Sequence, residues 1–197
     1  PVYTEDDIIR ASAEDLAACD AAIVIVNCPI NEGSVLNGYG HDLETGEYFP
    51  ISLQYGEYTA NSSSVRAESI SGNMIETEVE GVYGTITTRE KENRSYYGAT
   101  SRITNTTELE GIQYAIENMP EEAKIIVAVN ADGPMIFSEF EDQVDAILIG
   151  FGTVGFSFDS KAFFDITTGK VEPSGLLPMQ MPANMETVEA QYEDVPR

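Results

Sequence analysis

Carboxylates dominate the residues of this chain that could do chemistry. Asp and Glu number 34, against 10 Lys and Arg, one histidine (His41) and two cysteines (Cys19 and Cys28). Several familiar chemistries fall away on these counts. One histidine and two cysteines do not make a zinc constellation. A serine triad would depend on His41 alone, and neither a Gly-x-Ser-x-Gly elbow nor a Ser-x-x-Lys pair occurs. The segment Asn27-Cys28-Pro29-Ile30-Asn31-Glu32-Gly33 is neither a dinucleotide fingerprint nor a Walker loop, so nucleotide binding lacks its main support. No cofactor is implied. Acid–base work by carboxyl groups is left, and their abundance makes each one uninformative by itself. The cysteines read as two buried free thiols.

The charge balance narrows the partners. A formal net charge of −24 repels phosphate backbones and anionic membranes, so neither nucleic acid nor a membrane is expected as a partner. It suits a neutral or cationic partner, or simple solubility. No stretch approaches the roughly 20 apolar residues of a membrane span. The chain opens at Pro1 without an initiator Met or a signal-peptide pattern, which suggests a domain cut from a longer protein. Its compartment stays open.

Residues 4–18 read as a helix, with Thr4 as cap, Asp7 at the capping-box spacing, and Ile8, Ile9 and Leu16 on its apolar side. The run Ala21-Ala22-Ile23-Val24-Ile25-Val26 follows without alternation, as in a strand buried on both faces. The pairing recurs. Thr106 or Thr107 opens a helical stretch carrying Leu109, Ile112, Ile116 and Met119, which stops at Pro120, and Ile125–Val129 follows as a strand. Ala146–Ile149 forms a third apolar run, and a helical stretch from about Phe158 to Thr167 ends at Gly169. Helices alternating with β-branched runs predict an α/β fold: a three-layer αβα sandwich with a mainly parallel central sheet.

A long irregular insertion interrupts this pattern at residues 31–104, within a single domain spanning 1–197. Glycines and tyrosines punctuate it, among them Tyr39, Tyr48, Tyr55, Tyr58, Tyr83, Tyr96 and Tyr97. A short alternating piece runs from Val79 to Ile86, and Ser62-Ser63-Ser64 reads as a mobile tip. Loops this long are usually functional or disordered. Tyrosine on a loop suits contact with sugars or proteins, because the ring packs while the hydroxyl bonds. The alternative is an insertion that only covers a sheet edge.

The last third of the chain resembles a known family. Asp145-Ala146-Ile147-Leu148, then Asp165-Ile166-Thr167-Thr168-Gly169-Lys170 and Pro173-Ser174-Gly175-Leu176-Leu177-Pro178-Met179-Gln180-Met181-Pro182, look like the end of the second, α/β sandwich domain of glycoside hydrolase family 3, the β-glucosidase-like enzymes. Asp20–Val26 and Ile125–Pro134 resemble two of that domain's buried strands. The resemblance covers roughly residues 14–30 and 105–182. It departs from the family pattern at Gly152–Phe158 and in the longer middle segment.

The resemblance implies a carbohydrate substrate and a retaining mechanism with two carboxyl groups. The nucleophile would be an Asp on a preceding barrel domain, which this chain has no room for. The acid/base would be a Glu on this domain, just ahead of an Asp-Arg pair. The nearest match is Glu90-Lys91-Glu92-Asn93-Arg94-Ser95-Tyr96-Tyr97, with Asn93-Arg94 where Asp-Arg would stand. Either Glu90 or Glu92 fits, and Glu92 is preferred. Such a Glu would carry a raised pKa. Arg94 would orient a carboxylate or bond sugar hydroxyls, and Tyr96 or Tyr97 would stack on a sugar face. The chain is therefore expected to complete the active site of a β-glucosidase-like enzyme and to be inactive alone. The competing expectation is a non-catalytic ligand-binding or interaction domain of α/β sandwich type.

Overall fold

The computed structural model describes residues 11–32, 40–42, 44–70, 72–151 and 160–191. In chain order the elements are α1 (Ala13–Ala17), β1 (Ala21–Asn27), β2 (Met74–Gly81), β3 (Gly84–Lys91), α2 (Thr107–Asn118), β4 (Lys124–Ala131), β5 (Ala146–Phe151), α3 (Ser160–Thr167) and α4 (Met185–Glu189). Two compact units result. One comprises Pro1–Pro29, Leu53–Tyr55 and Asn105–Asn184; the other comprises Ile30–Ser52, Gly56–Thr104 and Met185–Arg197.

The first unit has the expected α/β fold. The three apolar runs pair as one parallel sheet in the order β1-β4-β5. Ala21 lies opposite Lys124 and Asn27 opposite Asn130, while Ile126 lies opposite Ala146. The register places Ala22, Val24 and Val26 beside Ile125, Val127 and Val129 on one face, with Ile147 and Ile149 next to them. That face packs on Ile112 of α2 and on Tyr55, Met135 and Phe140, all fully buried. Burying each such side chain contributes about 1.5–3 kcal/mol.

Asp145, which opens the run that resembles the family, fixes the entry to the sheet. Its carboxylate accepts from the Ile125 amide at 2.9 Å and from Lys124 Nζ at 2.6 Å. Those contacts, led by Lys124, hold its pKa below the usual carboxylate value.

β1 departs from the expectation of burial on both faces. Its exposure alternates: Val26 is buried, whereas Ile23 and Ile25 are 37% and 62% exposed. β1 is an edge strand, and among the described residues nothing closes over its second face. An apolar run states what gains from burial; it does not supply the cover.

The helices form for readable reasons. α2 starts after Thr106 at its cap position and ends at Asn118, with Met119 already extended before Pro120, as expected. Ser12 caps α1: its hydroxyl accepts from the Asp15 amide at 3.1 Å and the Asp15 carboxylate accepts from the Ser12 amide. The cap expected at Thr4 and Asp7 lies outside the described residues, as does the start of the last helical stretch at Phe158. α3 ends at Thr167, and Gly169 just beyond it has a φ of 69°, the left-handed value that glycine takes without strain.

The second unit is less irregular than its composition suggests. β2 and β3 form an antiparallel ribbon, from Met74 opposite Lys91 to Gly81 opposite Gly84, closed by Val82-Tyr83. Every residue of both strands is exposed except Gly81, which is half-buried. The rest is tied by isolated bridges, Asn31–Ile103, His41–Tyr48 and Thr59–Thr100. Two hydrogen bonds join the buried Asn31 side chain to the Ser52 backbone. The Tyr58 hydroxyl donates to Glu189 of α4 at 2.6 Å. Ser62–Ser64, expected as a mobile tip, is a turn in which the Val65 amide bonds the Ser62 carbonyl at 3.1 Å. Among the described residues, no helix is long and apolar enough to cross a membrane.

Candidate carboxylate site

Glu92 directly follows β3, and the foot of the ribbon holds it. Its amide donates to the Asn73 carbonyl at 2.7 Å, which extends the β2–β3 ladder by one pair. Gly72 packs so closely there that a Cβ would sit 1.6 Å from the Glu92 carbonyl oxygen. Only glycine fits such an approach.

The Glu92 side chain is 25% exposed and meets three donors. Arg94 reaches Oε2 through Nε and Nη2, both at 2.9 Å. The Tyr48 hydroxyl donates to Oε1 at 3.0 Å, and the Asn73 amide approaches Oε2 at 3.3 Å. Arg94 is the largest influence on its acidity, followed after burial by the Asn73 and Tyr48 bonds, and the net effect holds the carboxyl below the usual value. Glu92 is therefore ionised at neutral pH. The raised pKa expected of an acid/base is therefore not what Glu92 has here.

Tyr48 is itself positioned. His41 stacks on its ring at 4.5 Å between centroids. The turn between them is closed by Asp42, which accepts from the Glu44 and Thr45 amides at 2.9 and 3.0 Å and from Arg102 at 2.6 Å. Arg102 also lies 4.8 Å above the Phe49 ring. Its bond is the main reason the Asp42 carboxyl is strongly depressed.

The structure brings together Glu92 and Arg94 among the residues singled out from sequence. Glu90 stands two residues up the ribbon, exposed and opposite Ile75. Tyr97 is half-exposed and Tyr96 slightly less so. Asn93, which stands where the resembled motif has Asp, has a clear structural use. Its Oδ1 accepts from the Ser69 and Ser95 amides at 2.9 and 3.0 Å, and its Nδ2 donates to the Ala67 carbonyl at 3.2 Å. An aspartate could not make that last bond. Sequence reading missed Tyr48 and Asn73 as partners of Glu92.

Two other places gather groups of chemical interest. At the carboxyl ends of β1 and β4, Asn27 donates to Glu108 at 2.8 Å and accepts from Asn130 at 3.2 Å, while the Cys28 thiol donates to Asp132 at 2.9 Å. Burial, then the Asp132 contact, pushes the Cys28 thiol up to about 11, so it is a poor nucleophile. Cys28 is buried as expected, whereas Cys19 is exposed, contrary to expectation. A groove of about 630 Å³ beside β5 is lined by Ile147, Phe151, Phe163, Ile166 and Leu177 among others, none of them ionisable. Its described lining offers apolar contact and no proton-transfer group. Among the described residues, no cluster of His, Cys, Asp and Glu could hold a metal ion.

No family model matches the chain, and no solved structure matches it. Curated relatives do. The chain is 41% identical over 71 residues to the probable beta-glucosidase C of Aspergillus flavus and equally to that of Aspergillus oryzae. It is 39% identical over 71 residues to beta-glucosidase C of Emericella nidulans. The match takes in 36% of this chain and only 10–11% of each relative. Over that stretch the chain is related to glycoside hydrolases named as β-glucosidases.

Proposed function

We propose that this chain is the C-terminal α/β domain of a glycoside hydrolase family 3 enzyme and completes the active site of a preceding barrel domain for hydrolysis of β-glucosides or related β-linked sugars. In this reading Glu92 is the acid/base, Arg94 holds and orients it, Tyr96 or Tyr97 stacks on sugar, and Glu90 is the alternative acid. The observation that carries it is the partly exposed Glu92 carboxylate fixed by Arg94 and Tyr48. The relationship to β-glucosidases and the Pro173–Pro182 motif support it.

The depressed pKa of Glu92 is compatible with this role for a physical reason. In a retaining glycosidase the two carboxyl groups sit about 5–5.5 Å apart, and the ionised nucleophile raises the pKa of its neighbour. That second carboxylate would come from the barrel. The depressed pKa by itself favours a second reading, in which Glu92 stays ionised and accepts hydrogen bonds from sugar hydroxyls in a non-catalytic domain.

The full-length enzyme separates the two readings. As acid/base, Glu92→Gln lowers kcat on an unactivated glucoside by about 100- to 10,000-fold, and azide partly restores turnover of an activated aryl glucoside. As a binding group only, the same variant raises KM and gains nothing from azide. The chain alone should not turn over aryl β-glucosides; turnover blocked by a mechanism-based inactivator would overturn the two-domain reading.

A further inference from the structure

The two oxygens of the Glu92 carboxylate have unlike neighbours. Oε2 accepts from Arg94 Nε and Nη2, both at 2.9 Å, and from the Asn73 amide at 3.3 Å. Oε1 accepts from the Tyr48 hydroxyl at 3.0 Å. A guanidinium and an amide N–H can only donate. A proton on Oε2 would therefore point at groups that already present hydrogens. A hydroxyl is different, because it donates, accepts or turns aside with little movement of its oxygen. Oε1 thus has a reversible neighbour and a second lone pair. It is the oxygen suited to take up and release a proton.

Tyr48 reaches this oxygen from 44 residues away in sequence, and a short antiparallel pairing fixes it there. The Phe49 amide donates to the Gly40 carbonyl and the Asp42 amide to the Glu47 carbonyl, both at 2.8 Å. A Cβ on Gly40 would sit 2.1 Å from the Phe49 carbonyl oxygen. Tyr48 lies opposite His41, and the two rings stack. A ring held this way has little rotamer freedom left to lose when its hydroxyl holds Glu92. The nearby charges are engaged elsewhere or exposed. Asp42 pairs with Arg102, Lys91 bonds the Ile70 carbonyl, and Glu90 is exposed on the ribbon.

We propose that Glu92 gives and takes its proton through Oε1, and that Tyr48 is the positioning residue that controls this exchange by holding that oxygen. The proposal rests on Glu92 being the acid/base. In the first half of a retaining reaction the Oε1–H bond breaks and the glycosidic oxygen gains the proton. That oxygen leaves with the electron pair of its bond to the sugar, while the second carboxylate bonds the anomeric carbon. The carboxylate left at Glu92 is the form to which the Tyr48 hydroxyl donates. In the second half Oε1 takes a proton from the attacking water, whose oxygen bonds the anomeric carbon as the second carboxylate departs. Tyr48 thus strengthens the acid and tempers the base.

The test uses the full-length enzyme. Tyr48→Phe keeps the ring and its stack on His41 and removes only the hydroxyl. Ionised Glu92 then loses a donor and becomes a weaker acid. The first half-reaction needs the protonated form, so the alkaline limb of kcat/KM should move to higher pH, by about half a unit or more. Below that limb kcat/KM should fall about 3- to 30-fold on an unactivated glucoside and less than about twofold on an activated aryl glucoside. Installing 3-fluorotyrosine at position 48 gives a stronger donor and should move the limb to lower pH. His41→Phe keeps a stacking ring and should leave the limb in place. An unmoved limb in Tyr48→Phe, or movement in the same direction in both Tyr48 variants, overturns the proposal even if rates fall, because a purely structural role lowers rates at every pH. Glu92→Gln is measured alongside. Partial azide rescue there, with an unmoved limb in Tyr48→Phe, removes the role of Tyr48 and leaves the acid/base reading standing. Near-normal rates for Glu92→Gln on the unactivated glucoside overturn both.

Discussion

The parallel sheet and the ribbon solve the same problem to different degrees. Both are built from β-branched residues with a period of two. The sheet lays Val26, Val127 and Val129 against Ile112 and Tyr55 and buries them almost completely. The ribbon lays out Ile75, Val79 and Ile86 and leaves all three exposed. An isolated two-stranded hairpin is marginally stable at best in water. Its order here comes from its foot, where Gly72, Asn73 and Glu92 close the ladder. The sheet is held by its faces and the ribbon by its root.

Substitution should break that comparison most clearly at the core. Ile112→Ala leaves a cavity beneath the sheet and should cost about 2–5 kcal/mol in denaturant titration of the chain, whereas Ile86→Ala on the ribbon should change stability by less than about 0.5 kcal/mol. A comparable cost at Ile86 would show that the ribbon face is covered in solution.

Two glycines sharpen the contrast next. Gly72→Ala forces a Cβ into the Glu92 backbone. It should cost about 1–3 kcal/mol and speed hydrogen exchange of the Glu92 amide. Gly111 lies within α2, and a Cβ added there would meet nothing within 4 Å. Gly111→Ala should stabilise the chain by about 0.5–1 kcal/mol, read as a higher melting temperature.

Acid acts on the root as well as on Asp42 and Asp145. The folded pKa of Glu92 lies below its unfolded value, so its stabilising contribution is complete above the unfolded pKa, about 4.3, and is lost as pH falls through the folded value. The Glu92 amide should exchange faster over that range, and Glu92→Gln should flatten the dependence. The smallest effect belongs to the exposed Arg89–Glu76 pair at 2.7 Å. Arg89→Gln should cost less than about 0.5 kcal/mol and vanish in high salt.

Local pattern accounts for what could be read from the chain. The three strands and α2 were legible because apolar runs, a cap position and Pro120 act over a few residues. The open face of β1 was not, because hydrophobicity does not reveal whether a neighbour arrives to cover it. In the site, Glu92 and Arg94 stand two residues apart and were legible together. Tyr48 lies 44 residues from Glu92 and Asn73 lies 19 away. Tyr48 was one tyrosine among many in a segment with little periodicity, and only the fold selects it.

The register of β1 against β4 also sets a delay in synthesis. Asn27 and its partner Asn130 are 103 residues apart in sequence. At about 5–20 residues per second, β1 leaves the ribosome roughly 5–20 seconds before the strand it must pair with. Throughout that interval Ile23, Val24, Ile25 and Val26 present an unpaired edge and two bare faces. Most of the second unit is encoded between the two strands and can begin to fold while β1 waits. Slow translation through residues 30–104 would lengthen the wait, and a holdase that shields β1 should raise the soluble yield.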